Sequence, residues 1–234
     1  MRRLLHVFLL VAVATLAVAA CARPAPQQKL STVLAEERIA VPKGSAGPVA
    51  EPEVRVSTVA AAPTDFEGIP IGITSDGRPT LGADAPQIVI HMFTDLQCPY
   101  CNRAHFQLVE WVRRHPGELQ VVFFHFPLSM HQHAAQYARE AHCAGEQGKF
   151  WHVVGDLYRA GYRPIDHPTL TKRHALDMPS FQRCVAARTT QLALDRDLAE
   201  GNRLQVRGTP TFFVDGVQMN IVDLENLLKA KLKE

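Results

Sequence analysis

Apolar residues crowd the first twenty positions, thin out through residue 68, and return with regular spacing from residue 87 onward. Gln87-Ile88-Val89-Ile90-His91-Met92-Phe93 is a short β-branched run after Ala85-Pro86, which predicts a buried strand. Ala104, Leu108, Trp111 and Val112 then recur on one helical face behind Pro99, a residue suited to a first helical turn because its missing N–H would be unpaired there. Pro116-Gly117 ends that helix. Leu119 to Phe126 is a second strand, and the order strand, helix, strand predicts parallel pairing in an α/β sheet. Helical patterns follow over His131 to Glu146, Phe150 to Arg159, Pro179 to Ala187 and Thr190 to Leu204. Thr211 to Val214 and Val217 to Asn220 flank an Asp215-Gly216 turn and predict a hairpin, and Leu224, Leu227, Leu228 and Leu232 mark a terminal amphipathic helix. The expected layout is β-α-β, a helical insertion over about 128–206, then β-β-α.

The N-terminal region has a different character. Met1, Arg2 and Arg3 are followed by an apolar stretch from Leu4 to Ala20, interrupted by His6 and Thr15, so residues 1–20 read as an export signal. The stretch sits at the short edge of a membrane span and no basic stop-transfer cluster follows it, although a retained anchor is an alternative. Val18-Ala19-Ala20-Cys21 resembles the lipobox of bacterial lipoproteins, which implies lipidation of Cys21 as the new first residue. Ala17-Val18-Ala19 equally satisfies the small-x-small rule of ordinary cleavage. Either route places the domain outside the cytoplasm, on the periplasmic or cell-envelope side. Residues 21–68 carry Pro24, Pro26, Pro42, Pro48, Pro52 and Pro63 without a sustained period and read as a flexible tether. The folded domain is expected over 69–234.

Composition narrows the function classes. With 234 residues, 47% hydrophobic and 21% charged, the chain is long enough for one domain with a sizeable core. Its 25 basic and 23 acidic residues leave a net charge of +2 and no basic stripe, so nucleic acid is not an expected partner. A single N-terminal apolar run excludes a multi-span transporter.

The chemistry lies at Cys98-Pro99-Tyr100-Cys101. Placed where a strand turns into a helix, Cys98 meets unpaired N–H groups and the positive end of the macrodipole, and it is expected to ionise easily. A thiolate is both nucleophile and leaving group, the two properties that thiol-disulfide exchange needs. Cys101, one turn on, is placed to close the disulfide. No second such pair follows at zinc-finger spacing, and Asn102 occupies the position where haem attachment needs histidine. A purely structural disulfide across so tight a loop would stabilise little. The second element is Gly208-Thr209-Pro210-Thr211 before Phe212-Phe213-Val214, where proline suits the first residue of a strand. Spacing leaves its peptide isomer open.

Together, Phe93 to Cys101 and Gly208 to Gly216 resemble the DsbA-like branch of the thioredoxin superfamily, over about Ile69 to Glu234. The resemblance implies a thioredoxin-like α/β fold with a helical insertion between the two halves of its core, and a redox disulfide without cofactor or metal. It implies that Cys98 is the exposed nucleophile and Cys101 the resolving cysteine. Pro99 and Tyr100 would form the active-site loop, Pro210 would be a cis-proline facing the disulfide, and Thr209 would present backbone groups to a substrate strand. It implies a membrane-bound redox partner that regenerates the pair. Related sequences often carry a buried acid six residues before the first cysteine; here that position is Met92, and Asp95 on the following turn cannot be assumed to substitute.

Cys143 and Cys184 remain. An exported protein with an even pair left over usually joins them, so a structural disulfide is expected, with two buried thiols or a second redox pair as the alternatives. His131-Gln132-His133 places its histidines on different helical faces, and solvated helix-start residues are expected there rather than a metal site. The chain therefore reads as an exported, lipid-anchored, monomeric thiol-disulfide oxidoreductase acting on the cysteines of other exported proteins. The same residues would serve a reductase or isomerase, and a non-catalytic adaptor is the reading from another class.

Overall fold

The computed structural model describes residues 65–232. The expected signal segment 1–20, the lipidation site Cys21 and the tether as far as residue 64 lie outside the described residues. Three short strands that the apolar pattern does not mark open the sheet: β1 (Asp65–Phe66), β2 (Ile69–Ile73) and β3 (Pro79–Gly82). Asp65 and Phe66 pair with Pro70 and Ile69, so the sheet begins ahead of Ile69, at residues expected to lie in the tether. Pro70, Gly72, Pro79 and Gly82 read as punctuation along the sequence. They are tolerated where a proline's missing donor costs no ladder bond and where a second backbone comes close. Gly82 is the clearest case. It has φ +112°, and a Cβ there would lie 2.1 Å from the Leu119 carbonyl oxygen on the neighbouring strand.

β4 (Ile88–Thr94) feeds α1 (Pro99–Arg114), which returns to β5 (Leu119–His125), and β4 and β5 are parallel as expected. Residues of β4 alternate between two apolar layers. Ile88, Ile90 and Met92 join the larger core with Leu119, Val121, Phe123 and the buried face of α1, while Phe93 packs with Val122, Phe124, Phe126 and Phe213. Ala104, Leu108, Trp111 and Val112 all point inward from α1.

The insertion contains five helices: α2 (Ala134–Gly145), α3 (Phe150–Ala160), α4 (His167–His174), α5 (Met178–Ala186) and α6 (Arg188–Arg203). The sequence pattern lacks α4 because that helix buries little besides Leu170 and Thr171; Asp166 starts it by accepting the Thr169 N–H at 2.8 Å. After the insertion, β6 (Thr211–Val214) pairs antiparallel with β4, β7 (Val217–Met219) completes the hairpin, and α7 (Ile221–Leu232) follows. The strand order is β1-β2-β3-β5-β4-β6-β7. β4 thus lies inside the sheet between β5 and β6, and its C-terminal end, where α1 begins, meets the start of β6.

Candidate functional site

Cys98 is the N-cap of α1, with extended backbone (φ −75°, ψ 124°), Pro99 behind it and no acidic residue in the first turn. Its sulfur therefore faces free helix-start donors with no competing carboxylate. Its pKa falls from the usual thiol value to about 6. The largest cause is the hydrogen bond from the Cys101 thiol; burial opposes the shift, and the backbone N–H groups of Cys101 and Tyr100 and the Thr209 hydroxyl add to it. Cys101 moves the other way, pushed up first by burial and then by its hydrogen bond to Cys98. The two sulfurs are not bonded to each other in this structure, and when the pair loses its first proton the one that remains stays on the inner sulfur.

Accessibility departs from the expectation of an exposed Cys98. Cys98 keeps 4% of its surface and Cys101 none. Exposure belongs instead to Tyr100, at 69%, between the two cysteines.

The Thr209-Pro210 peptide is cis, which settles the isomer that spacing leaves open. It brings the Thr209 carbonyl oxygen 3.5 Å from Cys98 Sγ, which as a thiol donates to it. Thr209 Oγ1 is buried and makes no hydrogen bond of normal length, yet lies near enough to both sulfurs to favour their charged forms. Thr211 Oγ1 donates to the Gly208 carbonyl at 2.8 Å and closes the loop on itself.

Asp95 has a role that the sequence does not reveal. Its buried carboxylate accepts the Gln97 N–H at 2.7 Å on Oδ1, and the Leu128 N–H and His131 Nδ1–H, each at 2.8 Å, on Oδ2. Gln97 Oε1 in turn accepts the His133 N–H at 2.6 Å. His131 is therefore not the solvated helix-start residue expected, its side chain being 12% exposed, because the loop after β5 folds onto the Cys98 turn and brings the imidazole to Asp95. The signal available in sequence is an aspartate three residues before Cys98, but two of its three partners lie more than thirty residues downstream.

Met92 is buried in the larger core, so no carboxyl group stands at that position. Cys143 and Cys184 are joined between α2 and α5, with an S–S distance of 2.00 Å. Among the described residues no cluster of histidine, cysteine or carboxylate is arranged to hold a metal ion. A groove of about 460 Å³ lined by Ile71, Ile73, His142, Phe150 and Trp151 contains neither Cys98 nor Cys101.

The lowered Cys98 value has a testable sign. Between about pH 6 and the roughly 8.5 of a free thiol, unfolded chains hold a proton on Cys98 that the folded, reduced protein has released. The unfolded state then binds more protons, so the stability of the reduced protein rises with pH across that window and the advantage is lost as pH falls through about 6. Thiolate absorbance of the reduced protein is expected to titrate near pH 6 and to vanish from that range in Cys98→Ser. A midpoint near 8.5 would remove the electrostatic asymmetry of the pair.

The family model described as thioredoxin matches residues 74–230. Curated relatives include Na(+)/H(+) antiporter NhaA 1 of Salinispora arenicola, 32% identical over 136 residues, which is 57% of this chain and 21% of that protein. NhaA 1 of Mycolicibacterium vanbaalenii is 30% identical over 141 residues, 58% of this chain and 22% of that protein. The chain thus spans about a fifth of the length of these relatives. Among solved structures, Pseudomonas aeruginosa DsbA2 superposes with a TM-score of 0.55 at 22% identity, covering 66% of this chain and 94% of that one. BdbD from Bacillus subtilis gives 0.57 at 16% identity, covering 67% and 94%. Proteus mirabilis ScsC gives 0.55 at 20% identity, covering 68% and 74%. The shared fold is a thioredoxin-like core carrying a helical insertion.

Proposed function

The chain belongs to the thioredoxin family, and from that premise we propose that it is an exported protein thiol-disulfide oxidoreductase that oxidises cysteine pairs in other exported proteins. The observation that carries this reading is the placement of two thiols at the start of α1, with Cys98 capping the helix beside the Thr209 carbonyl and Cys101, one turn on, fully buried. In the oxidised protein a substrate thiolate attacks Cys98 Sγ, the Cys98–Cys101 bond breaks, and its electron pair goes to Cys101. A second substrate thiolate then attacks the substrate sulfur of the mixed disulfide, and Cys98 leaves as the stabilised thiolate. The Thr209 carbonyl beside Cys98 suits docking of an extended substrate segment across the pair.

Direction follows from which redox state the protein stabilises. Favourable contacts to the Cys98 thiolate exist in the reduced form and not in the disulfide, so they draw electrons toward the protein and make it an oxidant. A membrane-bound acceptor would take those electrons away. Export agrees with the Cys143–Cys184 disulfide, a feature of oxidising compartments. No helix among the described residues is long and apolar enough to cross a membrane, and we assign attachment to a lipid on Cys21 ahead of a tether. The domain works as a monomer without metal or organic cofactor.

Equilibration of the protein in glutathione redox buffers tests the reading. The expected potential is well above the roughly −270 mV of a reducing thioredoxin, together with stoichiometric oxidation of a reduced, unfolded substrate. A potential at or below that value would make the protein a reductase.

A further inference from the structure

Opening the disulfide places a negative charge on Cys101, a sulfur with no solvent exposure and no carboxyl group at Met92 to meet it. Besides Cys98, the groups that face this sulfur and favour its charge are the hydroxyls of Thr209 and Thr94 and the backbone N–H of Asp95. Thr94 differs from Thr209 in what stands behind it. Its Oγ1 lies 2.5 Å from the hydroxyl of Tyr158, which comes from α3, 64 residues along the chain. Tyr158 is held firmly: its ring packs 4.9 Å from that of His105, and its carbonyl accepts the Asn102 Nδ2–H at 2.9 Å. Either hydroxyl can donate in this short bond, and the phenol is the stronger acid, so the arrangement taken here has Tyr158 donating and Thr94 Oγ1 accepting. That arrangement leaves the proton of Thr94 free to point at Cys101 Sγ.

We propose that Thr94 is a further catalytic residue, donating a hydrogen bond to the Cys101 thiolate as it is expelled, and that Tyr158 is a positioning residue that orients the Thr94 hydroxyl. The inference rests on the oxidoreductase reading given above. The attacking thiolate's electron pair makes the new bond to Cys98 Sγ, and the pair from the broken Cys98–Cys101 bond stays on Cys101 Sγ. Thr94 keeps its proton and shares it, so the step needs no proton transfer and Tyr158 never becomes an anion. Two aligned O–H groups thus do in a dry site what a buried acid at position 92 would do by protonation.

Stopped-flow reaction of the oxidised, full-length protein with glutathione, read as formation of the mixed disulfide, tests this. Thr94→Val, which keeps the shape and removes the hydroxyl, is expected to slow the step about tenfold, the scale of one hydrogen bond to a charged group. Thr94→Ser is expected to restore the rate to within about twofold. Tyr158→Phe should slow the wild-type background about threefold and the Thr94→Val background not at all, since Tyr158 acts through Thr94. A wild-type rate in Thr94→Val, no recovery in Thr94→Ser, or an undiminished Tyr158→Phe effect without the Thr94 hydroxyl would each overturn the inference while exchange itself continues. A wild-type protein inert toward glutathione would overturn this inference and the oxidoreductase reading together.

Discussion

Cys98→Ser is expected to abolish thiol exchange, lowering the rate by about a thousandfold or more, because a hydroxyl at that N-cap is neither ionised nor nucleophilic at neutral pH. Cys101→Ser is expected to behave in the opposite sense. Its Cys98 still reacts with oxidised partners, but the mixed disulfide has no internal thiol to resolve it and accumulates as a covalent adduct on non-reducing gels. The asymmetry has a structural origin. Cys98 retains a sliver of surface beside the Thr209 carbonyl, whereas Cys101 has none and faces Thr94, Thr209 and the Asp95 backbone. The same substitution has a second consequence: the Cys101 thiol is the largest single contributor to lowering the Cys98 value, so in Cys101→Ser the Cys98 titration is expected to move upward from about 6. Indistinguishable behaviour of the two serine variants would reverse or erase the assignment of nucleophile and resolver.

Replacing both Cys143 and Cys184 by alanine is expected to cost about 4 kcal/mol of unfolding free energy, the chain-entropy value for a loop of this length. The bridge spans a sequence separation of 41 and closes a loop that contains α3 and α4. Thr190 Oγ1 approaches both sulfurs and donates to the Cys184 carbonyl at 2.7 Å, so the start of α6 is tied to the same point. Denaturant unfolding of the oxidised wild type and the double variant measures the difference. A loss below about 1 kcal/mol would mean that the packing of α2 on α3, α5 and α6 holds the insertion without the bridge. Because α3 carries Tyr158, the double variant is also expected to slow opening of the Cys98–Cys101 disulfide, although neither replaced residue faces that pair.

The elements that sequence periodicity locates are those with a strong one-dimensional signature. β4 and β5 are continuous apolar runs, α1 has a regular inward face behind Pro99, and β6 and β7 flank Asp215-Gly216. Strands β1 to β3 and helix α4 escape because they are short, carry proline or glycine, or bury few side chains. Their existence depends on a neighbour. Gly82 makes sense only beside the Leu119 carbonyl, and the alternation of Ile69, Ile71 and Ile73 is too brief to stand out from a linker.

The functional site divides along the same line. Sequence alone determined that two cysteines sit one helical turn apart at a strand-to-helix junction, that a proline opens a later strand, and that a second cysteine pair was left over, because each of these is a statement about residues near one another in the chain. Tertiary structure decided the cis isomer of Thr209-Pro210, the clamp of Asp95 on Leu128 and His131, and the meeting of Thr94 with Tyr158 beside the Cys101 sulfur. A buried polar group must find a partner, but nothing local says which of the residues tens of positions away will be brought to it. That choice follows from how the helical insertion packs back over the end of β4, where hydrogen-bond geometry across the fold, and no periodicity along the chain, selects the partner.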